Sequence, residues 1–111
     1  MQARVFGGIL PGLWLRHFSA ARPANGVFYL VKMEAQIRAG KRNIDVVPVE
    51  HWNEIWENGR FVAILFKTFH PAIPFEIYMK IGSNAVKRVS TIGEAIDFIL
   101  ENLKALENAQ H

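Results

Sequence analysis

The 111-residue chain has no cysteine, which excludes disulfides, thiolate nucleophiles and the cysteine-based zinc folds, and fits a reducing, cytoplasmic setting. No apolar run approaches the roughly 18 residues that a membrane-spanning helix needs. There is no glycine-rich loop of the P-loop or dinucleotide-binding kind, no internal repeat and no low-complexity tract. Acidic residues are nearly missing from the first third. Residues 1–42 hold one acid, Glu34, against seven Lys and Arg, whereas residues 43–111 hold nine acids against six. The basic isoelectric point near 9.5 therefore belongs to the beginning of the chain, and a phosphate-binding groove on the remainder would work against its own field.

What is present is a hydrophobic half of the composition, enough for one globular domain with one core. The clearest element lies at the C-terminal end. Ile92, Ile96, Ile99, Leu103 and Leu106 recur at steps of four and three, with Ala95 and Leu100 widening the stripe and Glu94, Asp97, Glu101 and Lys104 opposite. Thr91 and Glu94 form a T-x-x-E capping box at its start, so the spacing predicts a helix over residues 91–106.

Upstream of it, residues 60–69 are apolar on both alternating faces and residues 75–81 alternate cleanly, with Phe75, Ile77, Met79 and Ile81 inward. Gly82, Ser83 and Asn84 then turn the chain into a strand over residues 86–89. Val49, Trp52, Ile55 and Trp56 at helical spacing, with Asn58-Gly59 as a stop, predict a short helix of about ten residues. The β-former run at residues 27–33 and the stretch at residues 44–47 before Pro48 predict two further strands. Residues 1–32 read as an irregular N-terminal arm or extension, with a loose likeness to a signal or transit peptide, and residues 33–111 as a single domain. The expected fold class is α+β: a small antiparallel or mixed sheet of three to five strands, a long C-terminal helix packed on one face and a short helix before the central strands.

Phe75-Glu-Ile-Tyr-Met-Lys-Ile-Gly, followed by Val86-Lys-Arg-Val-Ser-Thr-Ile-Gly-Glu-Ala-Ile-Asp-Phe-Ile-Leu, resembles the opening of a bacterial family known as domain of unknown function 982. In that family a strand, a glycine turn and a second strand enter a helix through Ser/Thr and Glu-Ala. The resemblance implies a compact α+β bacterial domain and no activity. The order short helix, three strands, long helix is also similar to double-stranded-RNA-binding domains, but Thr91-Ile92-Gly93-Glu94-Ala95 stands where those domains place phosphate-contacting lysines.

Catalytic chemistry is not legible. Ser19, Ser83 and Ser90 lie in no nucleophile-elbow context, and His70 before Pro71 reads as a turn residue. Glu50, His51 and Glu54 would share a helical face, but a third firm ligand is missing, so neither a metal nor another cofactor is expected. The expectation is a non-catalytic domain working through protein contacts. One long helix covers one sheet face, so the second apolar face needs the short helix, the N-terminal arm or a second copy of the chain as cover. Self-association as a homodimer is expected across Trp52, Trp56, Phe61, Ala63 and Leu65. The alternative is nucleic-acid binding by the basic beginning of the chain, with phosphate contacts from Arg38, Lys41 and Arg42.

Overall fold

The computed structural model describes residues 25–109. In chain order these form α1 (Phe28–Arg38), β1 (Ile44–Val49), β2 (Trp52–Glu57), β3 (Arg60–Lys67), β4 (Phe75–Met79), β5 (Val86–Val89) and α2 (Ile92–Ala109). The five strands form one antiparallel sheet in the order β1-β2-β3-β4-β5, each beside its sequence neighbours. The fold is α+β, with a short helix before the strands and a long helix after them.

Turn chemistry dictates the meander. Asn58 and Gly59 have φ of 51° and 78°, the pair of positive values that a two-residue type I′ turn requires, and Glu57 pairs with Arg60 across it. Residues 68–74 join β3 to β4, closed by the Thr68 amide donating to the Pro74 carbonyl at 2.7 Å. Gly82, at φ 67°, turns β4 into β5.

Both helices lie on the same face of the sheet. Val31 and Ala35 of α1, and Ala95, Ile96, Ile99 and Leu103 of α2, pack with Ile55, Ala63, Leu65, Phe75, Ile77 and Met79 into one core. The α2 stripe sits as its spacing predicts, with Ile92 and Leu106 half-buried at its ends. Its capping box is complete: the Glu94 amide donates to Thr91 Oγ1 at 3.1 Å, and the Thr91 amide donates to Glu94 Oε1 at 3.1 Å. Ser90 adds its amide and its hydroxyl to the same carboxylate oxygen.

Two expected elements are corrected. Residues 27–33 do not form a strand; they open α1, whose Val31 and Ala35 are spaced i, i+4 and face the core. The helix expected across residues 49–57 is instead the end of β1, a turn and β2. In β2, Asn53, Ile55 and Glu57 point into the helix-covered layer and Trp52, Glu54 and Trp56 point away. Periodicity misled here because polar and apolar residues are mixed on both faces of β2. The boundary drawn between residues 32 and 33 falls inside α1, so the folded unit includes residues before it.

Candidate functional site

The sheet's other face is the site candidate. Cross-strand register places Trp52 opposite Phe66, Glu54 opposite Ile64, Trp56 opposite Phe61, and Ile64 opposite Tyr78. These side chains share the face that carries neither helix, and each is half-buried among its neighbours. The rings form two clusters, a pair and a run of three. Trp56 stacks on Phe61 with centroids 5.3 Å apart, Trp52 lies 5.8 Å from Phe66, and Phe66 meets Tyr78 edge-on at 5.5 Å.

A β-bulge decides which residues of β3 belong to it. Ile55 pairs with Ala63, but Trp56 pairs with Phe61, so Val62 is an extra residue and the alternation of β3 changes phase there. Phe61 therefore shares a face with Ile64 and Phe66 instead of Ala63 and Leu65. Of the five expected interface residues, Trp52, Trp56 and Phe61 lie on the open face. Ala63 and Leu65 are 0 % exposed beneath the helices and have no surface to offer a partner. Ile64, Phe66 and Tyr78 take their place. The Ile64 and Phe66 positions were visible in the sequence as apolar, but the side they face depends on the bulge.

Polar groups set the character of this face. The Trp56 indole donates to Glu54 Oε1 at 3.1 Å. The Trp52 indole nitrogen is buried without an acceptor among the described residues. The Tyr78 hydroxyl donates to Glu76 Oε1 at 2.8 Å, and Arg88 Nε donates to Glu76 Oε2 at 2.7 Å. Arg88 first, and Tyr78 second, hold the Glu76 carboxyl below its ordinary range, while Glu76 raises the Tyr78 phenol. Asp45, Glu54 and Glu76 share the face with Lys80 and Arg88, so it carries charges of both signs: Asp45 pairs with Trp56, and Lys80 follows the inward Met79, so both point the same way.

The residues expected to contact phosphate are arranged differently. Arg38 bonds Glu34 at 2.7 Å and Asp97 at 2.6 Å; Arg42 bonds Glu57 and Glu107, both at 2.6 Å. These hydrogen bonds, Glu34 first for Arg38 and Glu107 first for Arg42, raise both guanidinium pKa values. Each arginine is thus held by two carboxylates, so an incoming phosphate would compete with charges already in place. Lys41 is exposed beside them. The cleft there, about 480 Å³, mixes Arg38, Arg42 and Lys104 with Asp97, Glu101 and Glu107, which suits no ligand of a single charge. Glu57 is only 5 % exposed, and Arg42 and Arg60 compensate it.

The groups capable of catalysis are spread apart. Ser90 is spent on the α2 cap. His70 Nδ1 accepts the amides of Ala72 at 3.2 Å and Ile73 at 3.1 Å, which makes it the organiser of its loop. Ser19 lies outside the described residues. Glu50 and His51 form the β1–β2 turn, so the helical face they were expected to share with Glu54 does not exist. No group of three or more metal-ligating side chains gathers among the described residues, and no helix among them is long and apolar enough to cross a membrane.

Comparison with protein-family models, with characterised proteins and with solved structures gave no match, so the site is read from its own geometry.

Proposed function

We propose that the protein is a non-catalytic module that acts by protein contact, and that it self-associates through the open aromatic face of its sheet. The supporting observation is the connected ladder of Trp52, Phe66 and Tyr78, with Trp56 and Phe61 beside it, on a face that neither helix covers. Large rings in a contiguous patch are the usual energetic centre of a protein interface. At strand spacings of about 4.8 Å, a five-stranded face of this length offers about 400 Å² of projected area. That is half of the roughly 800 Å² per partner of a stable complex, so association is weak and depends on concentration. A cytoplasmic location and the family resemblance of residues 75–100 stand with this reading and add no activity to it.

Light scattering across a concentration series is the test. The chain is expected to grow in mean mass toward a dimer at high micromolar concentration. Phe66→Ser should weaken association about tenfold, the loss of roughly 1.4 kcal/mol, while Ile37→Ser, on the exposed outer side of α1, should leave it unchanged. A chain that stays monomeric throughout, or a Phe66→Ser variant that associates like the parent, removes the proposal. Nucleic-acid binding through Arg38, Lys41 and Arg42 is the weaker reading; it requires duplex or single-strand binding that falls with rising salt.

A further inference from the structure

We infer that two copies of the chain meet face to face about a two-fold axis that runs along β3, so that β1 of each copy lies over β5 of the other. The inference rests on the reading of the open face as the contact surface, and names how the second copy is seated on it.

Cross-strand register sorts the open face into three rows. The middle row is Val47, Glu54, Ile64, Tyr78 and Val86, each paired with the next. One end row is Val49, Trp52, Phe66, Glu76 and Arg88. The other holds Asp45, Trp56 and Phe61, with Lys80 next to Phe61, because the Lys80 amide donates at 2.8 Å to the carbonyl of Val62, the extra residue of the bulge. In every row the β3 position is apolar, and the charged side chains stand on the strands to either side of it.

Identical copies close a dimer through a two-fold axis. Sheets packed face to face keep their strands roughly aligned, so the axis runs either along the strands or across them. An axis across the strands lays each strand over its own copy and turns the middle row onto itself, residue by residue. Glu54 then faces the partner's Glu54. That carboxylate is half-buried, and among the described residues it is met by the Trp56 indole at 3.1 Å and by no cation. Two such groups pressed together without a counter-charge oppose association. The same axis gains Lys80 against the partner's Glu76, but Arg88 and Tyr78 already hold Glu76 at 2.7 and 2.8 Å.

An axis along β3 exchanges the two ends of every row instead. Phe61, Ile64 and Phe66 each pack on their own copies, an apolar centre with charges around it, which is the anatomy of protein interfaces. Glu54 comes over the partner's Tyr78, Glu76 over the partner's Trp52, and Lys80 over the partner's Trp56, a cation on a ring. Val47 meets the partner's Val86 at the edge. No two charges of one sign are directly opposed.

The edge valines decide between the two axes. Val47 and Val86 are 41 % and 56 % exposed, so a cysteine at either leaves the core intact, and the chain has no other thiol. Full chains carrying Val47→Cys or Val86→Cys are treated, separately and mixed, at high micromolar concentration with a bis-maleimide of about 10 Å reach, the separation of packed sheets. With the axis along β3, position 47 faces position 86 of the other copy and stands about 19 Å from its own counterpart, four strand spacings away. Covalent dimers joining positions 47 and 86, read by mapping the linked peptides of the mixture, should therefore form about tenfold faster than dimers of either chain alone. Faster linking of each chain to itself assigns the axis across the strands and overturns the inference, as do equal rates or no covalent dimer in any sample. As a second measurement, Glu54→Gln, which keeps an acceptor for Trp56, should leave association unchanged or weaker; any gain, about tenfold where two facing carboxylates are relieved, overturns the inference. These failures are separable from failure of the contact surface itself, which shows in light scattering as Phe66→Ser leaving association unaltered.

Discussion

Glu94 carries the entrance to α2 almost alone, accepting from the Ser90 hydroxyl, the Ser90 amide and the Thr91 amide. Those donors, the Ser90 hydroxyl foremost, hold its carboxyl below the ordinary value of 4.5. A carboxylate depressed in the folded state contributes stability above its unfolded value and loses it as pH falls through the folded one. Denaturant midpoints of the parent should therefore fall from pH 4.5 downward more steeply than those of Glu94→Gln, and parallel curves would contradict this assignment. Gly93, one residue earlier, is shaped by a neighbour instead. A Cβ there would stand 2.5 Å from Arg38 Nη2 and 2.7 Å from its Cζ, so alanine must push the guanidinium away from Asp97. Gly93→Ala should leave the stability of the parent nearly unchanged, yet stabilise an Arg38→Ala background by about 1 kcal/mol, the helix-propensity difference between the two residues. Equal effects in both backgrounds would mean that Arg38 does not set the site.

At the scale of elements, α2, β4 and β5 were legible because every local signal agreed: cap, stripe, alternation and glycine turn. The regions around α1 and β2 were not. In α1 the run Phe28-Tyr29-Leu30-Val31 is locally β-forming, and no side chain caps its start. Its helical signals are the Glu34 and Arg38 pair at i, i+4 and Gly40 at φ 65° just beyond its end. In β2 the decisive clue was Asn58-Gly59, which can stop a helix or turn a hairpin. Two positive φ values in succession, with Glu57 facing Arg60, make it a hairpin. Gly59 has open space around its Cα, so Gly59→Ala adds no clash and costs only the left-handed backbone, about 1–2 kcal/mol. Urea unfolding checks this, and an unchanged midpoint would show that the turn does not need glycine.

For the molecule as a whole, the core depends on helical residues placed before the sheet. Val31 and Ala35 close the β1 side of the layer that α2 covers elsewhere. Removing residues 1–32 would cut α1 in two and expose that side, whereas removing residues 1–24 leaves every element named above intact. The longer deletion is expected to abolish cooperative thermal unfolding and the shorter one to retain it, as followed by circular dichroism. Cooperative unfolding of both would place α1 outside the essential core. The charge division has a similarly structural origin. Arg38 and Arg42 look like part of a basic patch in the sequence, but α2 and β2 bring Asp97, Glu57 and Glu107 to them, so the basic surplus is pushed toward Lys32, Lys41 and residues 1–24.

Sequence alone determined the class of fold, the capped C-terminal helix and its buried stripe, and the last hairpin, because these follow from interactions within a few residues. It also showed that β3 is apolar on both of its faces. Tertiary structure decided the identity of α1 and β2, where local preferences conflict and burial chooses between them. It decided the membership of the open face too, since one extra residue at Val62 turns Ala63 and Leu65 inward and Ile64 and Phe66 outward. A bulge is a relation between two strands, and neither strand's own residues encode it.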